Sequence, residues 1–563
     1  MISQFFKEKY PEGLETEIDL SKYSSILDVL DEACTRFADR PAFSNMGKTI
    51  TFQDLDQYAR DFAAYLQNHL GLKPGDAIAI QLPNTLQYPI ALFGAMRAGL
   101  IVVNTNPLYT EREMRHQFTD SGVKALVVLA NMAHLAEKVL PDTGIEHVII
   151  TELGDMHSFA KRTLINTVVR YVKKMVPDYS IPNAIDFREA LAVGTKLPMQ
   201  EHHAKAEDLA VLQYTGGTTG VAKGAMLSHR NLVANMLQAR IILNTILEEG
   251  QESIISPLPM YHIYTFTVSL VLMESGNHSI LITNPRDLPA FVKEMAKTPF
   301  SGFIGLNTLF VALCNRDDFK QLDFSKLKLT ISGGMAMTHA AEEEWHAVTG
   351  CHINEGYGMT ETSPIATFNM PCQSQMGTIG LPVPSTDLKI VDEEGKTLPW
   401  GETGELCVRG PQVMDGYWNC PEETAKVIDK DGWLNTGDIA VIQEDGYTRI
   451  VDRKKDMINV SGFNVYPNEI EDVIVSHQDI IEAAAIGVPD DKTGEAIKVF
   501  IVSRNTALTL KDVQDYCRSH LTAYKVPKQI EFRDELPKTN VGKVLRRTLR
   551  DEELSKNEKA QAA

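Results

Sequence analysis

Strand-sized apolar runs alternate with helix-length segments along most of this chain, and no other feature narrows its folding choices as far. The runs 77–80, 125–129, 147–150, 279–282 and 328–331 are each the size of one buried strand. Segments with helical spacing lie between them. The clearest carries Leu55, Ala59, Phe62, Ala63 and Leu66 after Thr51-Phe52-Gln53-Asp54, the pattern of a capped helix start. The break Lys73-Pro74-Gly75-Asp76 separates that helix from the strand 77–80. Strands that alternate with helices in this way close into largely parallel sheets, so the chain is expected to be α/β.

At 563 residues the chain exceeds what one hydrophobic core can organise, and about three to four domains or subdomains are expected. The texture changes near Gly377. Turn clusters such as Asp392-Glu393-Glu394-Gly395, Asp431-Gly432-Trp433 and Glu444-Asp445-Gly446-Tyr447 then crowd the sequence. They predict a β-rich subdomain at about 377–451, closing a large N-terminal domain of residues 1–451. Helical and strand patterns resume over 452–563, enough for a small α+β domain whose polar tail after Arg550 is expected to fray.

Lys and Arg number 55 against 74 Asp and Glu, a formal charge of −19. A surface this acidic repels phosphate backbones, which argues against nucleic acid as a partner. Seven scattered cysteines, none in a Cys-x-x-Cys pair, read as reduced thiols of an intracellular protein. The first residues hold no apolar stretch of signal-peptide type. The most apolar segment, 88–103, contains Arg97 and is shorter than the ~20 residues of a spanning helix.

Chemistry concentrates in five places. Tyr214-Thr215-Gly216-Gly217-Thr218-Thr219-Gly220-Val221-Ala222-Lys223-Gly224 follows the apolar run 209–212 and precedes the helix-like 231–234. Glycines let backbone N–H groups approach an anion, hydroxyls donate to its oxygens, and Lys223 adds charge. The P-loop pattern fails here, because Ala222 precedes Lys223 and Gly224 follows it. Asn354-Glu355-Gly356-Tyr357-Gly358-Met359-Thr360-Glu361 offers a flat aromatic face and a carboxylate suited to Mg²⁺. Thr436-Gly437-Asp438 offers a carboxylate to ribose hydroxyls. The charged cluster Asp452-Arg453-Lys454-Lys455-Asp456 precedes Gly462, and Pro537-Lys538-Thr539-Asn540-Val541-Gly542-Lys543 places a lysine on a glycine-containing loop. Each alone is compatible with an ordinary turn, packed loop or solvated face.

In this order, the five resemble the signatures of the adenylate-forming superfamily, which includes acyl-CoA synthetases, luciferases and peptide-synthetase adenylation domains. The resemblance is closer to bacterial long-chain fatty-acid–CoA ligases. It extends from about residue 10 to 550 through Asn106-Pro107-Leu108-Tyr109, Pro259-Met260-Tyr261-His262 and Thr283-Asn284-Pro285-Arg286-Asp287. It implies ATP-dependent activation of a fatty acid to acyl-CoA through an acyl-adenylate, with ATP and CoA as co-substrates and Mg²⁺ as cofactor. An acyl-AMP ligase, an aryl-CoA ligase and a non-catalytic nucleotide-binding protein are the alternatives.

By position, the resemblance implies that Tyr214, Thr215, Gly216, Gly217, Thr218, Thr219, Gly220, Val221, Ala222, Lys223, Gly224 and Ala225 grip the triphosphate, with Thr215 also catalytic. Glu361 would hold Mg²⁺. Gly333, Tyr357, Gly358, Thr360, Asp438 and Arg453 would bind the nucleotide, while His262 and Gly334 would border the acyl pocket. Lys543 would serve adenylation. Asp452 would be the hinge of a mobile C-terminal domain that brings Gly462 to the thioester step.

The remaining expectation concerns the membrane and other partners. Residues 161–176 hold Leu164, Ile165, Val168, Val169, Val172, Met175 and Val176 within an arc of about 140° if helical. Arg170, Lys173, Lys174 and Asn166 lie opposite. Such a helix either packs its apolar face on the core or docks it on anionic lipid. The second case predicts a cytoplasmic protein attached peripherally to the inner face of the membrane. A second copy of the chain is a further candidate partner.

Overall fold

The computed structural model describes residues 2–215, 222–371, 373–461, 463–490, 493–505, 507–538 and 544–562. Two large sheets form the body. One has eight described strands, and its centre runs Leu209–Thr215, Ile101–Asn104, Ala77–Gln81, Val123–Leu129 and His147–Thr151 in spatial order, all parallel. The other has nine, with Leu329–Gly333 parallel to both Gly302–Gly305 and Ile353–Gly358. Their strands are buried on both faces because helices cover them, which is why they read as continuous apolar runs. The expected strands fall inside these sheets.

Local signals explain the helices that matter. Thr51 accepts from the Asp54 N–H and Asp54 returns a bond to the Thr51 N–H, so helix Phe52–Asn68 begins where the sequence places its cap. Ser228 and Asn231 form the same reciprocal pair at the start of helix His229–Leu243. That helix and Ile263–Glu274 are buried almost throughout and pack together between the sheets. Arg97, buried at the end of helix Gln87–Arg97, is held by Asp31 and Asp56 at 2.6 and 2.5 Å.

A four-stranded antiparallel sheet, Asp387–Val391, Thr403–Arg409, Leu434–Ile442 and Thr448–Arg453, follows the body. A smaller lobe then begins. Its sheet pairs Ile480–Asp490 with Gly494–Ser503, and helices Pro467–Val475 and Leu510–His520 belong with it. The whole is α/β in the large part and α+β in the small one.

Two expectations change. Past Arg550 the chain is helical: helix Arg546–Ala562 carries Glu553, which pairs with Lys498 and Lys556, and both lysines also pair with Glu531. Residues 161–176 are not one regular helix. An α-helix spans Phe159–Thr167, a single π-turn follows over Val168–Val172, and Lys174 takes a left-handed conformation with φ 51° that stops the run. No residue from 158 to 176 is fully buried; Ile165, Val168 and Val169 are half-buried and Val176 packs against the core, so the apolar face is only partly covered.

Candidate active site

A cavity of about 2130 Å³ lies where the two large sheets, the four-stranded sheet and the small lobe meet. Tyr214, Thr215, Lys223, His262, Gly333, Gly334, Tyr357, Gly358, Thr360, Glu361, Asp438, Asp452 and Arg453 all line it. Residues more than 200 positions apart in sequence are therefore gathered into one cleft. Gly216, Gly217, Thr218, Thr219, Gly220, Val221, Gly462 and Lys543 lie outside the described residues.

The strand Leu209–Thr215 pairs antiparallel with Lys223–Ser228, setting Thr215 opposite Lys223, Tyr214 opposite Gly224 and Gln213 opposite Ala225. The segment between those strands thus starts and ends at the cleft wall. Gly224 lets the Tyr214 ring lie against the backbone, where an added Cβ would meet ring carbons at 3.1 Å. The Tyr214 hydroxyl donates to Asp120 at 2.5 Å, and burial beside that carboxylate raises its pKa. Ala225 is buried within its strand, and neither it nor Ala222 nor Gly224 lines the cleft. Lys223 pairs with Glu423 and places its ammonium over the Tyr417 ring.

One carboxylate joins two candidate nucleotide residues. Asp438 stands opposite Arg453 in the ladder between Leu434–Ile442 and Thr448–Arg453, and Arg453 Nε lies 3.1 Å from its Oδ1. The Tyr357 hydroxyl donates to its Oδ2 at 2.5 Å. Burial and this anion raise the tyrosine pKa. Gly358 is required by space, since a Cβ there would sit 1.9 Å from the Pro364 carbonyl oxygen. Gly333 lies beside Gly356 in the parallel ladder, and an added Cβ would touch the Tyr264 ring at 3.4 Å.

Glu361 sits in the short 3₁₀ turn Thr360–Thr362 and is buried at the cleft wall. The Tyr417 hydroxyl donates to its Oε1 at 2.6 Å. Among the described residues no group of three or more His, Cys, Asp or Glu side chains is arranged to hold a metal. A single carboxylate is nevertheless the donor set that suits Mg²⁺ when substrate phosphates complete the shell.

The cleft continues into an apolar limb. Helix Ile263–Glu274 contributes Tyr264, Val268 and Val271, one face at i, i+4 and i+7. Helix His229–Leu243 contributes Ala239, Ile242 and Leu243. His262 stands at the mouth as N-cap, its Nδ1 accepting from the Tyr264 N–H at 3.3 Å. The Tyr264 hydroxyl donates to the Ile331 carbonyl.

Four lining residues were not singled out by the sequence. Burial lifts the pKa of the Glu355 carboxyl to about 8, although a hydrogen bond from the Met337 backbone works the other way. Tyr417 and Tyr264 position groups distant in sequence. Burial and neighbouring Arg453 bring Lys455 down to about 8. Glu355 and Lys455 stand inside recognised motifs, but only packing reveals their surroundings.

At the joint between lobes, Asp452 is completely buried and its carboxylate accepts from the N–H groups of Arg453 and Asn468, both at 2.7 Å. Asn468 belongs to the first turn of helix Pro467–Val475, so a side chain at the end of the body caps the small lobe. Arg546 bonds Glu471 and Asn468 at 2.6 and 2.7 Å beside it. Lys538, which pairs with Glu482, bridges to Val544, and both line the cleft.

Comparison with known proteins accords with this geometry. The model of the AMP-binding enzyme family matches residues 30–418, and that of the AMP-binding enzyme C-terminal domain matches 469–543. A long-chain-fatty-acid–CoA ligase of Salmonella typhimurium is 54% identical over 97% of both chains. One from Haemophilus influenzae is 54% identical over 98% of this chain and 99% of its own, and one from Bacillus subtilis 37% identical over 97% of both. Among solved structures, the anthranilate CoA ligase AuaEII in complex with anthranoyl-AMP superposes with a TM-score of 0.84 at 25% identity, covering 97% of this chain and 100% of its own. ATP-bound MatB from Rhodopseudomonas palustris gives 0.81 at 28%, covering 94% and 98%. A cleft that unites the five sequence signatures, matched by two family models and full-length relatives, makes this chain a member of the adenylate-forming superfamily of AMP-binding enzymes, in the branch of the bacterial long-chain-fatty-acid–CoA ligases.

Proposed function

We propose that this enzyme activates long-chain fatty acids to acyl-CoA, releasing AMP and pyrophosphate, to feed fatty-acid β-oxidation and lipid metabolism. The observation that carries the reading is one continuous cleft, polar where Tyr357, Asp438 and Arg453 meet and apolar between the Ala239 and Val271 helix faces. Such a cleft accepts a nucleotide and an alkyl chain end to end.

The fatty-acid carboxylate attacks the α-phosphorus of ATP, the α–β phosphoanhydride bond breaks, and pyrophosphate leaves. The CoA thiol, having lost its proton, then attacks the acyl carbonyl and AMP departs. No protein nucleophile is needed, so the residues act by positioning and by stabilising charge. Tyr357 stacks on adenine, with Gly333 and Gly358 leaving room for the base. Asp438 and Arg453 take the ribose, and Thr215, Lys223, Thr360 and the loop that joins Thr215 to Lys223 take the phosphates. His262 and Gly334 border the reacting carboxylate. Glu361 would hold Mg²⁺, which would offset phosphate charge alongside ATP. Lys543 supplies a cation between the two anions during adenylation. Rotation at Asp452 then withdraws it and presents Gly462 for thioester formation.

The reading is tested by following pyrophosphate release and oleoyl-CoA formation from oleate, ATP and CoA. Lys543→Ala is expected to block pyrophosphate release while largely sparing thioester formation from supplied oleoyl-AMP. Equal loss in both half-reactions would overturn the two-conformation scheme, and no oleate-dependent pyrophosphate from the native enzyme would overturn the function. The same reading puts the enzyme in the cytoplasm, in peripheral contact with the inner face of the membrane. Self-association into a homodimer is decided by sedimentation.

A further inference from the structure

The segment 158–176 is fixed to the body by polar contacts, with Ile165, Val168, Val169 and Val176 half-buried beside them. Lys161 Nζ donates to the Met46 carbonyl at 2.5 Å, Asn166 accepts from the Gly154 N–H at 2.8 Å, and Arg170 pairs with Glu152 at 2.6 Å. Asn131 donates to the Met175 carbonyl at 2.9 Å. Its other large apolar side chains face outward. Phe159 is 75% exposed, Leu164 64%, Tyr171 70%, Val172 71% and Met175 50%, the densest such group among the described residues. A segment pinned by four polar contacts is held in place, so this exposure is built in and is not the result of fraying.

The ridge is also basic. Residues 158–176 contain five Lys or Arg and no acidic residue, in a chain of charge −19. Lys173 and Lys174 are exposed and make no ion pair among the described residues. Aromatic and aliphatic groups flanked by free lysines suit an interface whose interior is hydrocarbon and whose surface is anionic. A second copy of the chain fits less well. A single helical ridge offers on the order of a few hundred Å², against roughly 800 Å² per partner in a stable protein interface.

We propose that Phe159, Leu164, Tyr171, Val172 and Met175, with Lys173 and Lys174, form the surface by which this enzyme docks on an anionic lipid bilayer. The inference rests on the long-chain reading only for its purpose, since the bilayer is where such substrates partition. Arg170 takes no part, being committed to Glu152.

The test is flotation of the full chain with phosphatidylcholine vesicles and with phosphatidylcholine–phosphatidylglycerol vesicles. Native protein is expected to float with the anionic vesicles and to be released by salt. Lys173→Glu with Lys174→Glu should weaken binding roughly 30-fold. Tyr171→Ser, Val172→Ser and Met175→Ser together should weaken it at least about tenfold. Both variants should keep native activity on detergent-solubilised oleate, which also shows that they fold. Binding unaltered in both variants would overturn the proposal. So would a native dimer in sedimentation that the variants dissociate, because the ridge would then be covered by a second copy. Vesicle binding without oleate activation would leave the docking surface standing while removing the proposed substrate.

Discussion

Replacing Ala239 by phenylalanine should convert the enzyme's preference from long to medium acyl chains. Ala239 lies with Ile242 and Leu243 on one face of helix His229–Leu243, across the apolar limb from Val268 and Val271. The seven steps from Tyr264 to Val271 rise about 10.5 Å at 1.5 Å each. The limb therefore extends at least that far beyond the Tyr264 ring, which touches the nucleotide end near Gly333. A phenyl ring projecting from position 239 occupies the space of roughly four methylenes. At about 0.8 kcal/mol per buried methylene, a chain long enough to need that space loses about 3.2 kcal/mol, or about 200-fold in kcat/KM. Octanoate and decanoate should change less than about threefold. The assay is acyl-CoA formation across octanoate, decanoate, myristate, palmitate and stearate, with Tm measured alongside. Overpacking would lower Tm by an amount that does not depend on the substrate, so the slope against chain length is the informative quantity. An equal loss at every length, or none at any, would show that the acyl chain does not pass Ala239.

Two further outcomes follow from the polar end. Tyr357→Phe keeps the ring but leaves the buried Asp438 carboxylate one donor short, at a cost of about 1.5–3 kcal/mol in stability; saturating ATP should narrow the resulting Tm gap as ribose hydroxyls replace the lost donor, and a gap unchanged by nucleotide would remove Asp438 from the ribose site. Glu355 has its folded pKa raised to about 8 from 4.5, so its penalty on the folded state is absent below pH 4.5 and grows as pH rises to 8; Glu355→Gln should therefore match the native Tm near pH 4.5 and exceed it increasingly toward pH 8, whereas parallel Tm–pH curves would show that the carboxyl is ionised in the fold.

The parts of this molecule that could be read in advance are those written locally. Thr51 and Asp54 are three residues apart, so their reciprocal cap was visible, as were strands such as Val123–Leu129 that are buried on both faces. The cleft motifs were legible for the same reason, since each is a short run of unusual composition. What stayed hidden depends on distance. Tyr417 and Glu361 are 56 residues apart, and nothing in either neighbourhood announces their hydrogen bond. Glu355 lies inside a recognised motif, yet its burial and its hydrogen bond from the Met337 backbone depend on parts of the chain outside that motif. The segment 159–172 shows a subtler limit. Helical periodicity reveals that two faces differ, but it cannot say which side chains are turned toward the protein, and here Asn166 and Arg170 are, while Phe159, Leu164, Tyr171 and Val172 are exposed. The π-turn at Val168–Val172 then shifts the faces relative to any regular wheel.

The ion pair between Lys223 and Glu423 gives the cleft a sense of direction. Lys223 is not an idle charge awaiting phosphate, because Glu423 already satisfies it and is itself held near a pKa of about 2 by Lys223 and Lys426. An incoming anion must outbid that carboxylate. A triphosphate carries several charges and can do so; a monophosphate carries fewer and competes poorly. If Lys223 takes a phosphate as proposed, it would leave Glu423 when ATP arrives and return to it once only AMP is left. Binding of the triphosphate would then be favoured over that of the spent nucleotide, a preference set by one side chain and two competing anions.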